Sequence, residues 1–189
     1  DYFLVVSMEK KILKKSNLPF ISIVVVDYDG KRFLKQCFDS LLNQNYPKNK
    51  IEFIMIENSS NSDPIEFVRK NYPKVKIIIN KEDNYSLANN IGAKHAKGEY
   101  VALVSNDVKF EKDWLIELVK VISTDKKIGA VGGKILLKTG KIQSVGHEEY
   151  PNFYWGDIGF NEIDKGQYNE AKQRPSLCGV ATLFRKKCL

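Results

Sequence analysis

The carboxylate of Asp107 is the first candidate for chemistry, because it closes a short apolar run. The segment YVALVSNDVKF (residues 100–110) is apolar for five residues and then reaches Ser105, Asn106 and Asp107. Mg²⁺ and Mn²⁺ prefer carboxylate and other oxygen ligands, and Mg²⁺ often keeps phosphate oxygens and water in its shell. Asp107 could therefore hold such a cation beside a phosphorylated ligand. The simpler alternative is an Asp that ends a strand and caps the next helix.

Polar residues also follow three other apolar runs, in DYDG (27–30), ENSSNS (57–62) and NKEDN (80–84). Tyr28 offers an aromatic face for stacking, and the carboxylate of Glu57 accepts hydrogen bonds from imide or hydroxyl donors. A half-buried aromatic and a solvated turn residue are the simpler interpretations of these two side chains. Tyr28, Glu57 and Asp107 can form one site only if the four strand ends lie close together.

The elements that would position these residues alternate along the first 125 residues. Apolar runs of strand length are separated by segments with an apolar stripe at helical spacing. This alternation predicts a mostly parallel sheet covered by helices on both faces, with ligands bound at the carboxyl ends of the strands. The predicted strands are 21–26, 51–56, 75–79 and 100–105, and the predicted helices are 31–44, 62–72, 85–96 and 113–123.

The regular alternation of strand and helix patterns ends after residue 125. Residues 130–146 predict short strands around a turn at Thr139–Gly140, and residues 179–189 begin as a strand. The polar and aromatic segment 147–175 is predicted to be an irregular lid or binding segment. Its aromatic cluster could stack on a sugar or cover the edge of the sheet; it comprises Tyr150, Phe153, Tyr154 and Trp155.

Composition excludes several classes of protein. The 189 residues are 43% hydrophobic, which suits a single globular domain, and no apolar run approaches the ~20 residues of a membrane span. The net charge of +7 rests almost wholly on scattered lysines, without the basic and aromatic clusters of a nucleic-acid-binding surface. Three cysteines without paired or metal-ligand spacing predict structural thiols in a reducing compartment. His95 is predicted to be exposed and without a role. The same is the simpler interpretation of His147, for which a place beside a metal or a phosphate is the alternative.

No G-x-G-x-x-G or GxxxxGK[ST] motif is present, which excludes the dinucleotide Rossmann domain and the P-loop. Residues 21–137 instead resemble the nucleotide-binding part of glycosyltransferase family 2, close to its rhamnosyltransferase-like branch. Four segments carry the resemblance, in order and with natural spacing. They are SIVVVDYDGKRFLKQCFDSLLNQNYP, IEFIMIENSSNSD, NYSLANNIGAKHAKGEYVALVSNDV and DWLIELVKVISTDKKIGAVGGKILL.

The resemblance implies an α/β fold of the GT-A type, an α/β/α sandwich with a mostly parallel central sheet. It implies a nucleotide site built from Asp27, Tyr28, Glu57 and Asn106, with Tyr28 against the base, Glu57 on base or ribose and Asn106 towards the ribose. Asp107 would be the ligand of Mg²⁺ or Mn²⁺. The catalytic base of an inverting transferase is expected beyond Leu189, so no catalytic residue is assigned.

The chain departs from the family's usual motifs at several positions. Asp27 replaces a common Asn, Glu57 is one methylene longer than the usual Asp, and Ser105 replaces Asn or Asp. Asn84 stands where Gly is usual, and we expect it to keep a left-handed turn, which Asn tolerates. These changes bear on nucleotide choice and metal affinity.

The expected function is transfer of a sugar from a nucleotide-diphosphate donor to a glycan or lipid-linked acceptor, in cell-surface polysaccharide or glycolipid synthesis. We expect a cytoplasmic location with peripheral membrane contact and no nucleic-acid partner. Two alternatives are a sugar-nucleotide pyrophosphorylase and a non-catalytic nucleotide-sugar-binding module. The expected division is an extension over 1–19 and a GT-A domain over 20–189, with its nucleotide-binding part at 20–125 and its acceptor-side part at 126–189.

Overall fold

The computed structural model describes residues 17–58 and 64–189, and the backbone of residues 3–4. The strands are β1 Phe3–Leu4, β2 Ile21–Asp27, β3 Ile51–Asn58, β4 Val75–Asn80, β5 Tyr100–Ser105, β6 Ala130–Gly132, β7 Ile135–Leu136, β8 Ile142–Ser144, β9 His147–Tyr150, β10 Tyr154–Asp157, β11 Gln173–Arg174 and β12 Ala181–Arg185. The α-helices are α1 Lys31–Leu42, α2 Pro64–Asn71, α3 Tyr85–His95 and α4 Trp114–Ile122. Short 3₁₀ helices cover Lys48–Lys50, Pro151–Phe153 and Lys186–Cys188.

Six strands form the central sheet in the order β4-β3-β2-β5-β12-β6. The first four are parallel, and β12 is antiparallel to both of its neighbours. From β2 the chain winds outwards through β3 to β4 and then returns to place β5 on the other side of β2. Strand order therefore reverses between β2 and β5, which is the position where open α/β sheets bind ligands.

Helices cover both faces of this sheet. One face of the sheet packs under α1, α2 and α4, and the other packs under α3. Strand β2 is buried along its whole length because it lies at the centre of both layers, which explains its unbroken apolar run. Helix α3 approaches most closely at Gly92, where a Cβ atom would lie 2.2 Å from Val24 Cγ1.

The predicted α/β class and mostly parallel sheet are confirmed, and most strands and helices end within one or two residues of their predicted bounds. Residues 62 and 63, at the start of the predicted helix 62–72, lie outside the described residues. Segment 147–175 is more regular than expected, because β9 and β10 pair there as a hairpin and β11 pairs with β1. The division of the chain at residues 19 and 125 stays a prediction.

The segment after β5 is held in place by a buried glutamine at the end of α1. Gln44 Nε2 donates to the carbonyl oxygens of Ser40 and Glu111 at 3.1 and 2.8 Å, and its Oε1 accepts from Leu115 N at 2.9 Å. Ser40 Oγ accepts from Phe110 N at 3.1 Å. These bonds fix residues 110–115 on α1 and thereby support the residues that directly follow β5.

None of the helices formed by the described residues has the length and apolar character that crossing a membrane requires.

Candidate functional site

The carboxyl ends of β3, β2 and β5 bring three predicted site residues side by side. Asp27 lies opposite Glu57 in the β2–β3 ladder. On the other side of β2, Asn106 follows β5 directly, and its Nδ2 donates to Asp27 Oδ1 at 2.5 Å. The three side chains thus span the point where strand order reverses. The sequence-based expectation that these strand ends converge is met for these residues.

Asp27 is the buried centre of this group. Its side chain has no solvent exposure, and its Oδ2 accepts no hydrogen bond from any described residue. Burial raises the pKa of the Asp27 carboxyl, the hydrogen bond from Asn106 opposes this rise, and the charge of Glu57 adds to it. An orphaned, buried carboxylate oxygen is costly unless a donor reaches it, so Asp27 is prepared to accept a hydrogen bond from a ligand.

Gly30 allows Asn106 to reach Asp27, and sequence reasoning did not single it out. It precedes α1 at the N-cap position, and a Cβ atom there would lie 1.7 Å from Asn106 Nδ2 and 2.7 Å from Asp27 Oδ1. No side chain fits without displacing one of these groups. The signal in the sequence was a lone glycine between a polar strand end and a helix.

Asp107 lies one residue further and is exposed to solvent. Among the described residues, no hydrogen bond or ion pair engages its carboxylate. Cys37, buried on α1, lies within electrostatic range of it. Burial, reinforced by the negative charges of Asp107 and Asp27, raises the pKa of Cys37 to about 12. Both carboxylates therefore lie near the same thiol, which brings Asp107 to the same edge of the sheet as Asp27.

Tyr28 leaves the sheet and meets a residue that sequence reasoning missed. Its ring is 48% exposed. The negative charge of Asp83 raises the pKa of Tyr28, and burial and Asp29 add to this effect. Asp83 lies in the loop between β4 and α3. Nothing in the sequence distinguished it from the other acidic residues. The ring of Tyr28 thus borders the site, while Glu57 lies within it and is buried.

The loop that carries Asp83 is shaped by two asparagines. Asn80 Nδ2 donates to the Glu82 carbonyl oxygen at 2.8 Å. Asn84 has φ −143°, and its Oδ1 accepts from Leu87 N at 2.9 Å. The expected left-handed conformation of Asn84 is therefore wrong: the side chain acts as the N-cap of α3, and extended backbone dihedrals suit that role.

The aromatic cluster lies at the tip of the β9–β10 hairpin. Phe153 and Tyr154 are 85% and 69% exposed, and the rings of Tyr150 and Tyr154 lie 6.3 Å apart. The high exposure of Phe153 and Tyr154 argues against a covering role for these two rings. A surface groove of about 650 Å³ between α1 and residues 109–112 contains none of the five predicted site residues.

Comparison with known proteins identifies the family of this chain. The family model for glycosyl transferase family 2 matches residues 22–189, which is nearly the whole described chain. The chain belongs to glycosyltransferase family 2. Among curated members, Glycosyltransferase AglE of Haloferax volcanii is 29% identical over 124 residues, covering 64% of this chain and 40% of that protein. The O-antigen biosynthesis protein RfbC of Myxococcus xanthus is 33% identical over 133 residues, covering 68% of this chain and 10% of that protein.

Solved structures place this family 2 chain among GT-A folds. The mannosyltransferase PcManGT from Pyrobaculum calidifontis, solved with GDP-Man and Mn²⁺, superposes with a TM-score of 0.66 at 18% identity, over 92% of this chain and 46% of that one. S. aureus TarS 1–349 gives 0.58 at 17% identity, over 88% and 47%. This chain spans less than half the length of these relatives.

Proposed function

We propose that this chain binds a nucleotide-diphosphate sugar and forms the donor side of an inverting glycosyltransferase. Asp27 and Glu57 would accept hydrogen bonds from the base or ribose, Asn106 would face the ribose, and Tyr28 would stack on the base. Asp107 would hold Mg²⁺ or Mn²⁺. The observation that carries the proposal is the orphaned Oδ2 of buried Asp27, which lies at the reversal point of the sheet next to Asn106.

The donor groups at this edge fit a hard divalent cation. The Asp107 carboxylate is exposed and unengaged among the described residues, and one carboxylate suffices when phosphate oxygens and water complete an octahedral shell. A bound cation would supply electrostatic neutralisation of the departing diphosphate. The residues of this chain would orient the nucleotide with its diphosphate beside Asp107, so that the diphosphate leaves as the sugar passes to the acceptor oxygen. We assign the general base to no residue of this chain.

We further propose a glycan or lipid-linked acceptor, in cell-surface polysaccharide or glycolipid synthesis. The exposed rings at the tip of the β9–β10 hairpin support this assignment, since aromatic faces stack well on sugar rings. A cytoplasmic protein in peripheral contact with the inner face of the membrane fits the net charge of +7, because anionic lipids attract basic surfaces.

The test is a thermal-shift panel of UDP-, GDP- and dTDP-sugars, with and without Mn²⁺. A donor at ~100 times its Kd should stabilise the protein by about 2.7 kcal/mol, which raises Tm by roughly 5–10 °C for a chain of this length. We expect one nucleotide to give this shift with Mn²⁺, and Asp107→Asn to abolish the Mn²⁺-dependent part.

The matched control is Glu111→Gln, which neutralises an exposed carboxylate four residues further along and should leave the shift unchanged. A shift that ignores both Mn²⁺ and Asp107 would refute the metal assignment. A panel without any shift would refute the nucleotide site as a whole.

A further inference from the structure

A second group of metal-ligand side chains lies where the base of the β9–β10 hairpin meets the segment before β12, and it shares no residue with the proposed nucleotide site. It consists of His147, Asp157 and Cys178, and one ligand atom of each lies within 4.8 Å of the other two. From the sequence, a place beside a metal or phosphate is only the alternative interpretation of His147, and Cys178 is predicted to be structural; 10 and 21 residues separate the three side chains. The fold nevertheless brings the three side chains together.

Two backbone pairings create the cluster. His147 and Asp157 are directly opposite each other at the base of the hairpin, as the first residue of β9 and the last residue of β10. On its other side, His147 forms an isolated β-bridge with Ser176. Cys178 follows two residues later and therefore lies close to His147 as well. Three separate segments therefore contribute one ligand each, and all three side chains are only partly exposed.

The hydrogen bonds of His147 suit a metal ligand. Its Nδ1 lies 3.0 Å from Ser176 Oγ, which can accept the Nδ1 proton. The nitrogen left without a proton is then Nε2, which lies 3.2 Å from Asp157 Oδ1. Metal-bound histidines typically have this arrangement, with one ring nitrogen on a hydrogen-bond acceptor and the other on the ion.

Asp157 supplies the second observation that points to a missing ligand. Its Oδ1 atom is buried and accepts no hydrogen bond from the described residues. With a neutral His147, two lone pairs face each other at 3.2 Å. A cation between them would satisfy both. In a tetrahedral zinc shell with bonds of about 2.0–2.3 Å, neighbouring ligand atoms lie about 3.2–3.8 Å apart. Side-chain adjustments of at most about 1 Å would bring the cluster to this geometry.

We propose that His147, Asp157 and Cys178 form a site for Zn²⁺, with the fourth position open to water. Thiolate and imidazole ligands select a borderline cation such as Zn²⁺ over Mg²⁺, whereas the Asp107 site offers oxygen ligands alone. The two sites therefore differ in ligand chemistry and in the ion they prefer. Bound zinc would join the base of the aromatic hairpin to the segment that leads into β12.

The experiment uses the full 189-residue chain freed of metal with EDTA and titrated with Co²⁺, a spectroscopic substitute for Zn²⁺. We expect one equivalent to produce a thiolate-to-Co²⁺ charge-transfer band in the near ultraviolet and the intense visible bands of four-coordinate Co²⁺. Zn²⁺ should displace the signal stoichiometrically, and excess Mg²⁺ should not. Zn²⁺ at ~100 times its Kd should also raise the Tm by roughly 5–10 °C.

The chain offers a matched control for each variant. Cys178→Ser should abolish the charge-transfer band and His147→Gln should weaken Co²⁺ binding at least tenfold, whereas Cys188→Ser and His95→Gln should preserve both. Asp107→Asn should also preserve both, which keeps this result independent of the nucleotide site. Circular dichroism is used to check that each variant is folded. If Cys178→Ser or His147→Gln does not fold, Asp157→Asn takes its place and should likewise weaken Co²⁺ binding.

Two outcomes would overturn the proposal. A folded wild-type chain without a charge-transfer band would leave only an ion pair between a protonated His147 and Asp157. A band that survives Cys178→Ser but disappears in Cys188→Ser would show that Co²⁺ binds elsewhere.

Discussion

The close approach of Gly30 to Asn106 leads to a quantitative prediction for Gly30→Ala. A Cβ atom would lie 1.7 Å from Asn106 Nδ2, whereas real Cβ contacts essentially never fall below 3.0 Å. The amide must therefore retreat, and Asp27 Oδ1 loses the donor that now lies at 2.5 Å. Hydrogen bonds to charged groups are worth about 1.5–3 kcal/mol, so we expect Tm to fall by about 3–12 °C.

The effect of Gly30→Ala should depend on pH. Burial raises the pKa of Asp27, and the bond from Asn106 opposes that rise, so losing the bond raises the pKa further. A carboxyl with a raised folded-state pKa stabilises the fold below its unfolded pKa, and this stability is lost as pH rises through the folded pKa. The difference in Tm between the variant and the wild type should therefore be larger near neutral pH than near about pH 4.

Differential scanning fluorimetry across this pH range is the assay, with calorimetric titration of the nucleotide found in the donor panel. Gly179→Ala is the matched control, because nothing lies within 4 Å of the Cβ it adds. In Gly30→Ala/Asn106→Ala the main clash is gone, so the double variant should lose less stability than the two single changes added together. If Gly30→Ala melts and binds like Gly179→Ala, the close approach does not constrain the site.

Two further predictions concern buried polar groups. Asp27→Asn removes a buried charge. The unliganded variant should therefore gain Tm relative to the wild type as pH rises from about 4 to neutral, and it should bind donor more weakly. A difference in Tm that stays constant across this pH range would contradict the assigned pKa direction. Gln44→Leu leaves Leu115 N–H and the Glu111 carbonyl without their partner, so it should lower the free energy of unfolding in urea by about 1–3 kcal/mol. Gln36→Leu, on the exposed face of α1, is the control and should change this free energy little. Equal losses of stability in the two variants would contradict this account.

The meeting of the strand ends at one edge of the sheet could be predicted because these elements carry strong local signals. Strand β2 is buried on both faces and therefore appears as an unbroken apolar run, and α1 shows a regular apolar stripe. Once these elements alternate, the handedness of the crossovers places the strand ends at one edge. Asp27, Glu57 and Asn106 could then be grouped without coordinates.

Contacts that depend on loop conformation could not be predicted in this way. The hairpin formed by β9 and β10 contains Pro151 and consecutive aromatic residues, so it lacks the polar–apolar alternation of a half-buried strand. The approach of Asp83 to Tyr28 depends on the path of the loop that Asn80 and Asn84 shape. The environment of His147 depends on two backbone pairings, with Asp157 across the hairpin and with Ser176 further along the chain, and no spacing in the sequence records them.

The position of β12 has a consequence for how the molecule assembles. Strands β2 to β5 and the helices between them come from residues 21–105, so this half can form as the chain emerges from the ribosome. The second edge of β5 pairs only when residues 181–185 are available, and β12 is the one strand of the described central sheet that pairs with β6. Such long-range pairing is slow because loop closure comes before the contacts that reward it. Pairing of β5 with its parallel neighbour β2 should therefore precede its pairing with β12.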